Sequence, residues 1–161
     1  YIELMQNSDN FIAEQLLLTS VFGRSDSILR AFAIRDAMER WEPFLRDTIR
    51  WVDGSGLSRY NLITPFTIVQ ILDRIYDLRS YEWIKKVFAK GGQNGTIQDW
   101  YFPWVHAKTG TLSNNHNLSG YIETKKGRVL IFSFMHNHFF GSSSVYKVEM
   151  EKILVEIYEH F

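Results

Sequence analysis

The chain has no cysteine among its 161 residues. That excludes disulfides and thiolate metal sites, and it leaves the redox compartment open, because such a chain tolerates oxidising and reducing surroundings alike. It also lacks charge of either sign in excess, with 18 basic residues against 18 acidic ones. No electrostatic case therefore exists for nucleic acid or an anionic membrane surface as a partner. No apolar run approaches the roughly 20 residues of a membrane-spanning helix, so no transmembrane segment is expected. There is no initiator methionine and no charged-then-apolar export signal. The opening Tyr1-Ile2-Glu3-Leu4-Met5-Gln6 reads as the interior of a longer polypeptide, at or just before a helical turn.

What is present is the balance of a soluble globular protein, 45% hydrophobic and 22% charged, in a length that suits one core. No internal repeat or low-complexity segment interrupts it. Helices are expected over Phe11–Leu18, apolar enough to be mostly buried, and from a cap at Ser25 or Asp26 through Ile28 and Phe32 to Trp41, ended by Pro43. An extended piece, 48–52, leads into the glycine turn Asp53-Gly54-Ser55-Gly56. Thr64-Pro65 opens a helix to about Leu78, and a shorter one runs from Tyr81 to Phe88.

Three strands follow, at Val105–Leu112, Asn117–Thr124 and Val129–Met135, the last two joined by the turn Lys125-Lys126-Gly127. A final helix, 145–158, carries Val148, Ile153, Val155 and Ile157 and should lie on the sheet. The fold class is α+β, an antiparallel sheet with three strands visible and helices packed on its faces. Its outer strand would show an unpaired edge, which points to strands upstream of Tyr1.

Two short motifs carry chemistry: Ser8-Asp9-Asn10 on a polar turn before a helix, and Lys108-Thr109-Gly110-Thr111 on a strand a hundred residues later. Acyl transfer by serine needs a nucleophile, a base, oxyanion donors and a seat for the substrate. The set S-x-x-K, S-D-N and K-T-G supplies these in class A β-lactamases and penicillin-binding proteins. Here the second and third members stand in the required order, and no S-x-x-K precedes Ser8. Taken singly, the first triplet is a plain helix cap and the second an exposed strand before a bend; order and placement favour a site.

The stretch Asp53-Gly54-Ser55-Gly56-Leu57-Ser58-Arg59-Tyr60-Asn61-Leu62, followed by Thr64-Pro65, resembles the segment between these motifs in class C low-molecular-mass penicillin-binding proteins, the D-alanyl-D-alanine carboxypeptidase/endopeptidase family. Asn94-Gly95-Thr96-Ile97 and Gly120-Tyr121-Ile122 look like that family too, so the resemblance covers nearly the whole chain. It implies a partial β-lactamase/transpeptidase-like fold in which 1–161 is the C-terminal part of one domain, its S-x-x-K part absent. It further implies a serine-type carboxypeptidase acting on peptidoglycan stem peptides outside the cytoplasmic membrane, β-lactam antibiotics as inhibitors, and no metal or organic cofactor.

By the same resemblance Ser8 shuttles a proton between the absent lysine and the leaving amine, while Asn10 holds the substrate carbonyl and positions that lysine. Lys108 sets positive charge near the substrate's C-terminal carboxylate and helps keep the catalytic lysine neutral. Thr109 and Thr111 hydroxyls meet that carboxylate, the Thr111 N–H is an oxyanion donor, and Gly110 lets substrate lie close to the backbone. Asp53 and Ser55 to Arg59 brace the floor. A β-lactamase and a non-catalytic wall-binding module of the same fold stay open as alternatives.

Other candidates are weaker. Ser144-Val145-Tyr146-Lys147 spells S-x-x-K but follows Lys108, and Ser142-Ser143-Ser144 reads as a helix cap. Glu42, in Arg40-Trp41-Glu42-Pro43-Phe44-Leu45, resembles the deacylating glutamate of class A β-lactamases, but Arg46 stands where asparagine belongs. His136 and His138 alternate without a third ligand, so zinc is not expected, and His106 faces cleft or core. Trp41, Trp51 and Trp83 read as core; Tyr101, Phe102 and Trp104 read as a groove wall.

Overall fold

The computed structural model describes residues 1–23 and 29–161. The cap expected at Ser25 or Asp26, and Ile28 with it, lie outside the described residues. Six α-helices are described: α1 Ile2–Asn7, α2 Asn10–Thr19, α3 Arg30–Trp41, α4 Pro65–Leu78, α5 Tyr81–Val87 and α6 Ser144–His160. Four strands, β1 Ala89–Lys90, β2 Val105–Leu112, β3 Asn115–Glu123 and β4 Val129–Asn137, form one antiparallel sheet in the order β1-β2-β3-β4. The three expected strands are all present. The fourth, β1, has only two residues, which is too short for any period in the sequence to show.

Local chemistry sets the boundaries. The Thr64 hydroxyl accepts from the Thr67 N–H at 3.1 Å and Pro65 takes the first helical position, which starts α4. Ser80 caps α5 in the same way through Trp83 N–H. At the Lys125-Lys126-Gly127 turn, Gly127 adopts φ 75° and its N–H donates to the Thr124 carbonyl at 2.8 Å. α3 stops at Trp41, and a single 3₁₀ turn over Glu42–Phe44 takes in Pro43.

The sheet buries both faces. On one, Val105, Ala107, Leu118, Ile122 and Phe132 pack against Met150 and Leu154 of α6. On the other, Tyr121 meets Leu72, Ile84, Val87 and Phe88 of α4, α5 and the segment after it, and its hydroxyl donates to the Leu72 carbonyl at 2.7 Å. α6 lies on the sheet as expected but through Met150, Leu154 and Ile157, whose spacing lines one helical face; Val148 and Ile153 point outward. α2 also departs from expectation. Only Leu17 is buried, in a small cluster with Val21 and Ala33, while Phe11 and Leu16 are exposed. Its apolar residues run all round the helix, whereas among the described residues α1, α3, Trp51 and the 53–61 loop cover only part of its surface.

β3 crosses β2 closely at Gly120, opposite Ala107. A Cβ there would come within 2.2 Å of the His106 carbonyl oxygen and 2.6 Å of Ala107 Cα. At Gly110 the nearest atom would be 3.8 Å away. Gly120→Ala is therefore expected to cost about 2 kcal/mol or more in urea unfolding, because backbone must move. Gly110→Ala should stay within about 0.5 kcal/mol of the parent in the same experiment.

Candidate active site

The two motifs meet. Lys108 Nζ donates to Ser8 Oγ at 2.6 Å and to the carbonyl of Thr109 at 2.6 Å. Ser8 sits between two helices, at φ 59° and ψ 47°, a left-handed conformation uncommon for a residue with a side chain. Asp9 does the capping, its carboxylate accepting from the Ile12 N–H at 2.8 Å, which leaves Ser8 to face the strand. Asn10 opens α2 and is exposed, and its amide makes no hydrogen bond among the described residues.

Several contacts hold Ser8 in place. Gln6 Nε2 donates to the Lys86 carbonyl at 2.9 Å and so ties α1 to α5. The Gln6 carbonyl lies against Gly95 (φ 62°), where a Cβ would approach it to 2.5 Å. Next in sequence, Thr96 accepts from the Thr109 hydroxyl at 2.8 Å, so Asn94-Gly95-Thr96 links the helix carrying Ser8 to the strand carrying Lys108. Asn94 itself accepts from the Lys90 N–H at 2.7 Å.

Lys108 is half-buried, and burial lowers its ammonium pKa to about 8. β1 pairs only with His106 and Ala107, so Lys108 to Leu112 have no strand partner on that side among the described residues. The Gly91 N–H donates to the Val105 carbonyl at 3.0 Å. Strand alternation then turns the backbone groups of Ala107, Thr109 and Thr111 toward the same edge, the last two open. Gly110 and Thr111 are exposed and Thr109 is half-buried. The Thr111 hydroxyl lies 2.9 Å from Nδ1 of His116, a partner that sequence reading missed although the two residues face each other across the β2–β3 hairpin.

The 53–61 loop is tied to both sides of this arrangement. Asp53 accepts from the N–H groups of Gly56 and Ser58, at 2.6 and 2.8 Å, and from the Asn61 amide at 3.0 Å. Glu14 of α2 accepts from the N–H groups of Gly54 and Ser55, and a Cβ on Gly54 would meet Ala13 O at 2.9 Å. At its far end Arg59 donates to the Ser113 carbonyl at 2.6 Å, in the turn just past Thr111. One loop thus touches both the helix that begins at Asn10 and the end of β2.

The remaining candidates lie elsewhere. Lys147 Nζ rests over the Trp100 ring at 4.7 Å instead of on Ser144, so that S-x-x-K pair does not converge. Glu42 is exposed in its 3₁₀ turn. The His136 ring packs on Tyr146 at 4.8 Å, and no group of metal-binding side chains occurs among the described residues. His106 is buried against the edge of Tyr81. The groove-wall reading of Tyr101, Phe102 and Trp104 needs correction. Tyr101 is a core residue whose hydroxyl meets Met150 sulfur at 3.5 Å, and Phe102 stacks on Trp104, which stacks on Tyr158, at the end of β2 away from Thr111.

A four-stranded antiparallel sheet flanked by helices in this arrangement has the fold of penicillin binding protein 4. Penicillin binding protein 4 from Haemophilus influenzae superposes with a TM-score of 0.85 at 24% identity, over 98% of this chain and 39% of that one. A predatory peptidoglycan endopeptidase from Bdellovibrio bacteriovorus gives 0.70 at 21% identity, over 97% of this chain and 40% of that one. The chain belongs to the D-Ala-D-Ala carboxypeptidase 3 (S13) family, whose family model matches residues 2–158. It is 30% identical over 141 residues to D-alanyl-D-alanine carboxypeptidase DacB of Haemophilus influenzae, covering 81% of this chain and 29% of that protein. Carboxypeptidase DacB of Mycolicibacterium smegmatis is 26% identical over 149 residues, covering 84% and 32%. The chain therefore spans about three-tenths of the length of these relatives.

Burial alone would push the Asp53 carboxyl up. Hydrogen bonds from Asn61, Ser58 and Gly56, with the charge of Arg30, outweigh it and hold the group below its ordinary value of 3.8. A depressed folded-state pKa stabilises the fold above the unfolded value, and the benefit is lost as pH falls through the folded one. Asp53→Asn is expected to cost about 1–3 kcal/mol at neutral pH, since the Gly56 and Ser58 N–H groups lose a charged acceptor that has two oxygens. The gap between variant and parent, read from urea unfolding at several pH values, should narrow below pH 3.8.

Proposed function

We propose that this chain is the C-terminal part of the catalytic domain of a serine-type D-Ala-D-Ala carboxypeptidase that trims peptidoglycan stem peptides outside the cytoplasmic membrane. The contact between Lys108 and Ser8 carries this reading, because it joins the two motifs at the open edge of β2. Family membership and the share of the relatives' length that is covered support it, with the S-x-x-K nucleophile and its lysine supplied by sequence outside residues 1–161.

In this reaction the nucleophilic serine oxygen attacks the carbonyl of the penultimate D-alanine. Its proton passes through the neutral lysine and the Ser8 hydroxyl to the departing amine of the terminal D-alanine. The peptide carbon–nitrogen bond breaks, an acyl-serine remains, and water hydrolyses it. The Thr111 N–H and the nucleophile's own N–H receive the oxyanion. Asn10 holds the substrate's peptide carbonyl. The Lys108 ammonium attracts the C-terminal carboxylate, which Thr109 and Thr111 receive, and its charge disfavours protonation of the neighbouring catalytic lysine. Gly110 leaves the strand open to the peptide. β-Lactams would enter as analogues of the same acyl donor, and one of the Haemophilus structures of this fold is a complex with a β-lactam.

Lys108→Ala in the full-length protein is expected to slow acylation by fluorescent penicillin by at least about a hundred-fold. Near-normal rates would remove Lys108 from its role. Burial within this chain lowers the Lys108 pKa to about 8, and the ammonium form prevails below that pH. kcat/KM for a D-Ala-D-Ala peptide should accordingly fall as pH rises through 8. Residues 1–161 alone should form no adduct with penicillin by mass spectrometry; a stoichiometric adduct would restore Ser144 as a nucleophile. In the full-length protein a long-lived adduct favours the carboxypeptidase, rapid release of hydrolysed penicillin favours a β-lactamase, and no adduct favours a wall-binding module.

A further inference from the structure

We propose that His116 is a positioning residue for the proposed reaction: its Nδ1–H donates to Thr111 Oγ1 and so turns the Thr111 hydroxyl hydrogen outward, toward the carboxylate of a peptide on the open edge of β2. The inference rests on the carboxypeptidase reading and extends it to a residue outside both motifs.

The geometry is specific. Thr111 and His116 are cross-strand partners in the β2–β3 hairpin, with Oγ1 and Nδ1 2.9 Å apart. His116 is 1% exposed, whereas Thr111 is exposed. The imidazole is therefore the buried support and the hydroxyl its solvent-facing end. His116 in turn pairs with His136 on β4, whose ring packs on Tyr146, itself packed on Phe139. Close packing of this kind fixes a ring's orientation.

The tautomer follows from what is left unpaired. Nε2 of His116 is buried without a hydrogen-bond partner among the described residues. If Nε2 carried the hydrogen, a buried N–H would be orphaned, and Nδ1 would draw the Thr111 hydroxyl hydrogen inward. With the hydrogen on Nδ1, only a lone pair is stranded, which is the more tolerated defect. The hydroxyl then accepts from within and donates outward. Burial keeps the ring neutral, with a pKa near 4, and the charges of Lys147 and His136 act in the same direction. Thr109 is arranged differently: its hydroxyl donates to Thr96 and has to leave that partner before it can meet a carboxylate. Thr111 is thus the residue of the pair whose donor is free for an incoming anion.

The test uses the full-length protein and two substrates, a D-Ala-D-Ala peptide with a free carboxylate and the same peptide as its C-terminal carboxamide. His116→Leu is expected to lower kcat/KM for the free acid about ten- to a hundred-fold. The carboxamide should change far less, and His116→Asn, which keeps a donor near Nδ1, should recover most of the loss. Equal losses on both substrates would overturn the positioning role while penicillin acylation of the wild type leaves the carboxypeptidase reading standing. A wild type that penicillin does not acylate would overturn both. ¹⁵N NMR of histidine-labelled wild type, assigned with the Asn variant, reads the tautomer directly even if the Leu variant fails to fold. An Nδ1–H signal for His116 supports the proposal, and an Nε2–H tautomer contradicts it.

Discussion

The contact between Lys108 and Ser8 joins residues a hundred positions apart, and the arrangement of the helical and sheet layers around it makes it possible. An ammonium leaves water only if its donors are satisfied, and here one goes to a hydroxyl and another to the Thr109 carbonyl. The compensation is incomplete, since the pKa of Lys108 still drops to about 8. That residual tension fits the role proposed for Lys108, because a half-buried cation is stabilised in its charged form when a carboxylate arrives.

Rigid elements hold the two sides in register. β2 is pinned through both faces, by Val105 and Ala107 against α6 and by the Tyr121 cluster against α4 and α5, so its exposed end projects from a packed sheet. The short helix that ends just before Ser8 has little core of its own and is fixed by polar ties, Gln6 to Lys86 and the close approach of Gln6 to Gly95. The 53–61 loop spans the gap, with Glu14 at one end and Arg59 on Ser113 at the other. A site built on a strand and braced by such links keeps its geometry better than one on free loops.

Much of this was legible in the sequence because local chemistry dictates it. Thr64-Pro65, Lys125-Lys126-Gly127 and the alternation of β2 to β4 each carry their own signal, and the two motifs were readable by order and placement. What escaped depends on non-local contacts. β1 exists only because Ala89 and Lys90 find Ala107 and His106. α2 is rich in leucine, yet among the described residues its neighbours bury Leu17 fully and leave Leu18 half-buried and Leu16 exposed. In α6 the apolar residues occupy more than one face, and only packing against the sheet selects Met150 and Leu154 over Val148 and Ile153. The Ser144–Lys147 spacing matched a motif, but the preference of an ammonium for the Trp100 ring sends Lys147 elsewhere. Tyr101 looked like part of a surface aromatic run and is instead folded inward at φ 64°.

In the proposed site Ser8 and Lys108 act as one unit. A double-mutant cycle on the penicillin acylation rate of the full-length protein, with Ser8→Ala, Lys108→Met and the pair together, measures this directly. Coupling of more than about 1.5 kcal/mol, with the double variant little slower than the worse single one, is the predicted result. Losses that add within about 0.5 kcal/mol would show two independent residues and contradict it.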